Sequence, residues 1–570
     1  MRGEEKVMAS NESITVVLEE PLRVLIIDDD LSAQRRIQKV FEATHLLLDY
    51  RFAKNYNDAL SLLLGEYFDI GVVDLIMHEG DPGPHQEWEG FDLLQEVLDR
   101  GFHRDIALFI NSYFVDYKGV ARDAFKVFRV KDMWSKELDQ SQIVQSLQTA
   151  LRNEMYFGLR CKITFDDGLN WDVLAENLKL PLHILSSALS LEQASLELRH
   201  LIRRLFPDAI SVHVAAMEKG ASGSAVLRAT PFHEAGEASS VVVKYGPLAN
   251  VRREYDGWCR LRGYTSGFRM TQINDVNGNP GLMQGRHLAA LTYTLVGAQM
   301  TDIVSFAKCY LTSSAADIER VLERLFLETC RLWYKNMEIS QDCNIGAEYA
   351  AYLGVNQKSL ETPYLFKYPE WPLDGSDIQF QGLPRRKMNN PVYHYCTGKA
   401  DFRCDVGMCL THGDFHGSNI RVSPETHDSW LIDFGRSGKG VWVRDFVQLE
   451  TVIKFQLMQS ADVPALYELE DALASGDSLD TLGNFSKDEY PDLQKAFRCI
   501  ASIRRMAARA SKLPEKQLPP EVAYLNYLMS LFYQTLNYIR LQRLIRGGQK
   551  KNHVLISAAI ILERVNALMS

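Results

Sequence analysis

The chain has no apolar run approaching the roughly 20 residues that a helix needs to cross a bilayer, which argues against a membrane-spanning role. It also lacks a basic excess. Its 63 Lys and Arg stand against 73 Asp and Glu, and a net charge of −10 argues against a general nucleic-acid binder, whose phosphate contacts need a basic face. Cysteine is scarce, odd in number and scattered: nine residues with no C-x-x-C pair, which argues against a disulfide framework. The first twenty residues carry no signal-peptide core, so a reducing cytoplasm is the expected setting. Internal repeats and low-complexity tracts are absent. What is present is ordinary for soluble globular protein, with 46% hydrophobic and 24% charged residues. A chain of 570 residues is too long for one core, and roughly three to four domains are expected.

The densest chemistry lies between Thr411 and Gly440. It reads T-H-G-D-F-H-G-S-N-I-R-V and then, after a short interval, L-I-D-F-G-R-S-G. Asp414 and Asn419 sit at a fixed offset, and Asp433 follows a short apolar run. Phosphoryl transfer needs that set: a carboxylate to orient the acceptor hydroxyl, then an amide and a second carboxylate to hold Mg2+ on a triphosphate. Ile420–Val422 and Trp430–Ile432 read as two strands of a hairpin, with Asn419 and Asp433 at their ends. At this spacing the chain resembles the aminoglycoside phosphotransferase and choline kinase branch of the protein-kinase-like fold. There H-G-D-x-H-x-x-N replaces the H-R-D-x-x-x-x-N of protein kinases, and I-D-[FW] replaces D-F-G. The resemblance implies a bilobal domain that binds Mg-ATP between its lobes. It implies Asp414 as the acceptor-orienting base, Asn419 and Asp433 on the metal, and His416 as a support of the loop. An aspartate placed like Asp445 also braces the catalytic loop in that family. Read by itself, Arg444-Asp445-Phe446 opens a helix with Asp445 as N-cap and Gln448 completing a capping box.

From Ile210 the pattern is strand-like. Glu218 to Val226 (E-K-G-A-S-G-S-A-V) reads as a small-residue hairpin whose backbone N–H groups could approach phosphates closely, with Gly220, Ser222, Gly223 and Ser224 at its tip. Val241-Val242-Val243-Lys244 puts a lysine into an apolar strand, and Glu254 follows on a helix. A buried lysine is costly unless paired. In the resemblance the two grip the α- and β-phosphates of ATP. The order of elements then sets the backbone from Tyr293 through Leu295 against the adenine edge.

The first part of the chain alternates apolar strands with amphipathic helices, which implies a parallel doubly wound sheet whose carboxyl edge collects functional residues. Val24–Ile27 ends at Asp28-Asp29-Asp30, Phe68–Val73 at Asp74, Ile106–Ile110 at Asn111-Ser112, and Val127–Val130 at Lys131. Acids and a lysine at one edge make a site for Mg2+ and a phosphorylated aspartate. Residues 22–150 thus resemble the receiver domain of two-component response regulators. Asp74 falls at the phosphoacceptor position, Asp28 and Asp29 at the metal-binding pair, Lys131 at the phosphate-contacting lysine, and Asn111 or Ser112 at the switch. The sequence departs from the pattern at Asn111, at Asp132 where a proline is usual, and in an extended loop H-E-G-D-P-G-P-H-Q-E-W-E after Asp74. A degenerate receiver serving as a docking surface is the alternative.

The remaining segments carry less. Residues 151–206 read as a mostly helical connector, with no function apparent in Cys161–Leu178. Residues 341–400 read as an irregular insertion beside the catalytic loop. The C-terminal region reads as helices on which Arg504, Arg505 and Arg509 are solvated charge. His394, Cys396, Cys404, Cys409 and His412 match no zinc-site spacing. The expected fold class is multidomain α/β and α+β. A flavodoxin-like, doubly wound receiver at 22–150 leads through the connector to a bilobal protein-kinase-like domain, with an N-lobe at 207–298 and a C-lobe at 299–570. The expected function is that of a cytoplasmic, bacterial signalling protein. Its receiver takes phosphate from a histidine kinase or other donor and controls an ATP- and Mg2+-dependent phosphotransferase acting on a hydroxyl acceptor, preferably a small molecule. The alternative is a catalytically silent scaffold that binds nucleotide or partners.

Overall fold

The apolar run Leu22–Ile27 forms a central strand, β1, because its residues are buried on both faces by helices. In this computed structural model of the protein the described residues are 21–570, apart from 45–46, 78–87, 105, 117–118, 154–160, 179–188, 207–208, 218–223, 266–268, 274–280, 295–302, 384–385, 460–461 and 542–547. The chain forms two units: Met1–Arg252 with Ile273–Leu295, and Arg253–Gln272 with Val296–Ser570.

In the first unit β1 is followed by α1 (Leu31–Glu42), β2 (Leu48–Ala53), α2 (Tyr56–Gly65), β3 (Ile70–Val73), α3 (Glu89–Asp99), β4 (Ala107–Ser112), α4 (Val120–Lys126), β5 (Asp132–Ser135) and α5 (Gln140–Asn153). The five strands are all parallel in the order β2-β1-β3-β4-β5, which is the flavodoxin-like doubly wound order. One expectation fails here. Val127–Val130 is not the last strand: Arg129 takes φ +57°, which no strand permits, and Val127 is exposed. The strand is instead Asp132–Ser135, anchored by buried Trp134 stacked on Phe109 with ring centroids 4.8 Å apart.

A second sheet follows in the same unit. Its strands are β6 (Lys162–Phe165), β7 (Ser211–Ala216), β8 (Ala225–His233), β9 (Gly236–Glu237), β10 (Val241–Pro247), β11 (Leu282–Gln284) and β12 (Leu288–Thr294), with α6 (Trp171–Glu176) and α7 (Leu191–Leu205) between β6 and β7. The path is β11-β12-β10-β8-β7-β6, with β9 on β8. The expected helical connector is therefore part of this body. β6 pairs in parallel with β7, and Leu198, Leu201 and Leu205 of α7 share one apolar core with Val212, Leu227 and Val243. Alternation in K-I-T-F is too short to announce an edge strand.

Helix α8 (Leu248–Leu261) runs into the second unit. There β13 (Val304–Ser305) precedes α9 (Phe306–Thr312) and pairs with β18 (Ile420–Val422), which pairs with β19 (Ser429–Leu431). β14 (Glu338–Asn344), β17 (Arg403–Thr411) and β20 (Gly438–Val441) form another sheet. The span 341–400 is not irregular. It holds α12 (Ile345–Leu353), α13 (Gln357–Lys367) and α14 (Pro391–Cys396), with α10 (Ala315–Arg324) and α11 (Arg331–Lys335) ahead of them, and the two-residue strands β15 (Asp377–Ile378) and β16 (Met388–Asn389). Its burial is by tyrosine: Tyr349, Tyr364 and Tyr368 are fully buried, and the Tyr368 hydroxyl donates to the Lys551 carbonyl at 2.7 Å. Such rings carry apolar surface with a polar end and leave no aliphatic periodicity to read. After β20 come α15 (Arg444–Val452), a π-helical turn at Ile453–Leu457, α16 (Val463–Ala474), α17 (Pro491–Ala510), α18 (Pro520–Arg540) and α19 (Gly548–Met569). Against the expectation from the sequence, the last includes a stretch, Lys551–Met569, long and apolar enough to cross a membrane, and its Val554–Leu562 part is buried within the protein.

Candidate functional sites

The register of the first sheet assembles its carboxyl edge. Ile27 pairs with Val73, and Val73 with Ile110, so Asp28, Asp74 and Asn111 leave their strands side by side. Ser112 pairs with Ser135, so the residue after β5 reaches the same edge. That residue is Lys136. Its Nζ lies 2.7 Å from Asp28 Oδ2 and 2.7 Å from Asp74 Oδ2, with all three side chains buried. Lys131, the expected lysine, precedes β5 instead, its backbone N–H bonded to the Leu108 carbonyl at the strand's other end. The misplaced strand displaced the assignment by five residues; the lysine directly after the W-S pair that ends β5 was the available signal. Carboxylate oxygens of Asp28, Asp29 and Asp74 lie within 4.8 Å of one another, a donor set of hard oxygens that suits Mg2+. Burial raises Asp28 to about 6, against the pull of Lys136, and burial also raises Asp29. Burial opposes the charge on Lys136, but Asp74 and Asp28 outweigh it and hold its pKa above the ordinary value. Asn111 and Ser112 are both buried at the end of β4, and the Asn111 Oδ1 and Ser112 Oγ atoms have no hydrogen-bond partner among the described residues.

In the second unit β17 delivers the chain to the loop His412–Asn419. Gly413 turns it at φ +74°, where a Cβ would lie 2.3 Å from the Arg436 carbonyl oxygen, so only glycine fits. Buried groups hold each peptide of the turn. Asp445 accepts from the backbone N–H of His412 at 2.8 Å and of Gly413 at 2.9 Å. Gln448 Oε1 accepts from Phe415 N–H at 2.7 Å. His412 Nδ1 accepts from Asp414 N–H at 3.3 Å, while its Nε2 lies 3.1 Å from the Ile432 carbonyl, which fixes the Nε2–H tautomer. Burial lowers the pKa of His412 and keeps the ring neutral. Burial raises Asp445, although His412, the two N–H donors and Arg444 favour its charged form. The expected capping box does not form: Val443 is the N-cap of α15 and makes no side-chain cap, because Asp445 and Gln448 are committed to the loop.

The braced loop presents Asp414 with about a quarter of its side chain exposed. Asn419 Nδ2 donates to the Asp414 carbonyl at 3.0 Å and to Asp414 Oδ2 at 3.2 Å, which leaves the amide oxygen as its metal-type donor. His416 Nδ1 accepts from Ser418 N–H at 3.3 Å, and its Nε2 lies 3.7 Å from Asp414. The Asn419 carbonyl accepts from Ile432 N–H at 3.1 Å, so the two ends of the β18–β19 hairpin bring Asn419 beside the Asp433 segment. Asp433 sits at φ +65°, a conformation that a non-glycine residue adopts at a cost and that clusters at functional sites.

Helix α15 is held on its far side by buried charge. Glu450 takes Arg504 at 2.7 and 3.0 Å, Lys454 at 2.9 Å and the Tyr527 hydroxyl at 2.6 Å, and Lys454 bridges on to Glu470 at 2.8 Å. Arg504 is thus fully buried rather than solvated, whereas Arg505 and Arg509 are exposed and paired with Glu319 and Glu323. Among the expected nucleotide residues, Lys244 is buried in β10, opposite Val226 and Leu291, and Ser224 is buried beside Gly246. Glu254 is buried on the part of α8 that belongs to the second unit, and Tyr293 is buried in β12. Gly220, Ser222, Gly223 and Leu295 lie outside the described residues.

The family described as ternary complex associated domain 9 matches residues 210–365 and 379–537, more than half of the chain. No curated protein matches it. Solved structures similar to its first part include a signal receiver domain of an HD domain-containing protein from Pseudomonas fluorescens, at 20% identity over 23% of this chain and 96% of that one, with a TM-score of 0.19. A response regulator from Thermotoga maritima matches at 18% identity over 23% and 99%, TM-score 0.20. The CheX-CheY-BeF3-Mg complex from Borrelia burgdorferi matches at 18% identity over 23% and 90%, TM-score 0.20.

Proposed function

The chain belongs to the ternary complex associated domain 9 family, and from that premise we propose that it is a signalling phosphotransferase whose receiver-like domain controls transfer of phosphate from ATP to a hydroxyl acceptor. The family description names a complex and no reaction, so the reading rests on the loop. One observation carries it: Asp414 stands partly exposed on a turn whose peptides are held by Asp445, Gln448 and His412, with Asn419 bonded to it and Asp433 in a left-handed conformation. A rigid, braced carboxylate beside an amide and a second carboxylate is what in-line phosphoryl transfer asks of a protein.

In this reading Asp414 accepts a hydrogen bond from the acceptor hydroxyl and takes its proton as the acceptor oxygen bonds to the γ-phosphorus. The bond from that phosphorus to the β,γ-bridging oxygen breaks, and ADP leaves. Asn419 and Asp433 hold Mg2+, which when bound neutralises charge on the triphosphate. Lys244 and Glu254 serve the nucleotide's α- and β-phosphates. At the first sheet's edge Asp74 is the phosphoacceptor, Asp28 and Asp29 hold Mg2+, and Lys136 is the counter-charge that a phosphoryl group would take over. A small-molecule acceptor is favoured by analogy with the aminoglycoside phosphotransferase and choline kinase branch, and a histidine kinase is the natural donor for Asp74.

The test is ADP release by the full chain across a panel of hydroxyl acceptors, in wild type and Asp414→Ala, with nucleotide affinity measured in parallel. Loss of roughly 10²–10⁴-fold in turnover with affinity nearly unchanged is expected. Equal loss of both, or equal turnover in the two proteins, would sink the role of Asp414. Nucleotide binding without ADP release on any acceptor would point to a silent scaffold.

A further inference from the structure

Glu197, on α7, is completely buried, yet three donors converge on its carboxyl group: backbone N–H of His287 at 2.8 Å and of Leu288 at 2.9 Å, and the hydroxyl of Tyr67 at 2.6 Å. Tyr67 belongs to the flavodoxin-like domain, whereas His287 and Leu288 form the turn from β11 to β12. One carboxyl group therefore ties the two sheets of the first unit together. In the same turn, a Cβ on Gly285 would lie 2.2 Å from Glu197 Oε1, so the turn is closed onto that group.

Arg286 makes the second tie. Nearly buried, it lies with its guanidinium 4.3 Å from the Tyr67 ring centroid and 4.4 Å from that of Phe102, and it donates to the Leu63 carbonyl at 2.8 Å and the Glu66 carbonyl at 3.2 Å. A guanidinium between two rings contributes cation–π attraction on both faces. His200 of α7 also reaches the flavodoxin-like domain, at Asp69, 3.3 Å away.

The position of this junction matters. Asp69 immediately precedes β3, and Asp74 immediately follows it, with four buried residues between them. On the other side Leu288 opens β12, which pairs with β10 at Leu288–Pro247 and again at Leu291–Lys244. Buried contacts thus join the acidic edge to the Lys244 strand: backbone along β3, the side chains of Tyr67, Glu197 and Arg286 at the junction, and paired backbone from β12 to β10. Neither tie yields gradually, because a buried carboxyl or guanidinium that leaves its partners is stranded away from water.

We propose that the Tyr67–Arg286–Glu197 junction is the control contact of this protein, passing the state of the Asp74 site along β3 into β12 and the Lys244 strand. The proposal rests on the reading of Asp74 as a phosphoacceptor. It assigns the output to the sheet's amino edge, opposite the acids.

Hydrogen–deuterium exchange on the full chain tests it, with Mg2+ and beryllofluoride as the phosphoryl mimic. Addition of the mimic should change exchange in the peptide spanning residues 281–294 several-fold in wild type. Arg286→Ala and Glu197→Gln should abolish that change while peptides around Asp28 and Asp74 still respond. Tyr67→Phe, which removes one hydroxyl and keeps the ring, should weaken it and serves where the other variants melt early. A silent 281–294 peptide beside a responding Asp74 peptide overturns the proposal, as does a response that survives in all three variants. If no peptide responds to the mimic, the phosphoacceptor reading falls and the control contact with it, whereas nucleotide titration judges the phosphotransferase reading separately.

Discussion

The acidic edge of the first sheet and the catalytic-type loop of the second unit both concentrate aspartates, and they hold them by opposite means. At the edge, Asp28 and Asp74 face one ammonium group, Lys136, at 2.7 Å each. That pairing can be exchanged: a metal ion could take over the cation's role beside the acids, and a phosphoryl group could take the place of a carboxylate as the ammonium's partner. In the loop the stabilising contacts are between neutral backbone N–H groups and buried acceptors, Asp445 and Gln448, while the carboxylate that the loop presents, Asp414, has the His416 ring at 3.7 Å. The first arrangement is built to change partners and the second to keep them. Under the function proposed above, that is the difference between a switch and a catalyst whose residue lists look alike.

The largest effect should come from removing what stands behind the loop. Glu450→Ala leaves Arg504 and Lys454 buried without their shared partner, and a loss of about 3–5 kcal/mol is expected in denaturant unfolding of the full chain. Asp445→Ala strands two buried N–H groups at about 1–3 kcal/mol each. Mg2+ should not restore it, and restoration would erase the distinction between the two sites. Acid should act on the buttress as well. Burial alone would push Glu450 and Glu470 up, but Arg504 and Lys454 for the first, and Lys454 and His553 for the second, bring both down to about 2 from the ordinary 4.5. A depressed acid stabilises the fold above its ordinary value, and that contribution is lost as protons bind the native state. Unfolding free energy should therefore fall as pH drops from 4.5 towards 2, and Glu450→Gln should flatten that slope; an unchanged slope would remove these glutamates from the account. The smallest effect is at the exchangeable site. Lys136→Met should cost about 1.5–3 kcal/mol, the worth of a charge-assisted hydrogen bond. Thermal melting should show the loss recovered by Mg2+, and a loss indifferent to Mg2+ would mean the lysine is structural only.

Legibility in the sequence followed how local each cause was. The turn at Gly413, the offset of Asp414 from Asn419 and the hairpin that carries Asp433 are set within a few residues, and all were readable. Of the four strand ends that meet at the acidic edge, those of β1, β3 and β4 were readable and that of β5 was not, because Val127–Val130 looks more like a strand than D-M-W-S does; the packing of Trp134 on Phe109 and the backbone of Arg129 decide otherwise. Asp445 and Gln448 had the spacing of a capping box, and tertiary demand from the loop overrode it. Arg504, Glu197 and Arg286 left no signal, since a buried charge looks like a surface charge until its partner, tens or hundreds of residues away, is known.

β6 has a practical meaning for anyone who dissects this chain. Because the strand after α5 pairs with β7, and α7 lies over the same sheet, a cut at residue 206 would remove an edge and a cover, not a tether. The remaining fragment would present Val212, Leu227 and Val243 to water on an uncovered sheet face and leave β7 as an open edge, the geometry that invites aggregation. Cut in the span 154–160 instead, the second sheet would keep its edge and its covering helix, and Arg286 would be left without the two rings that flank it.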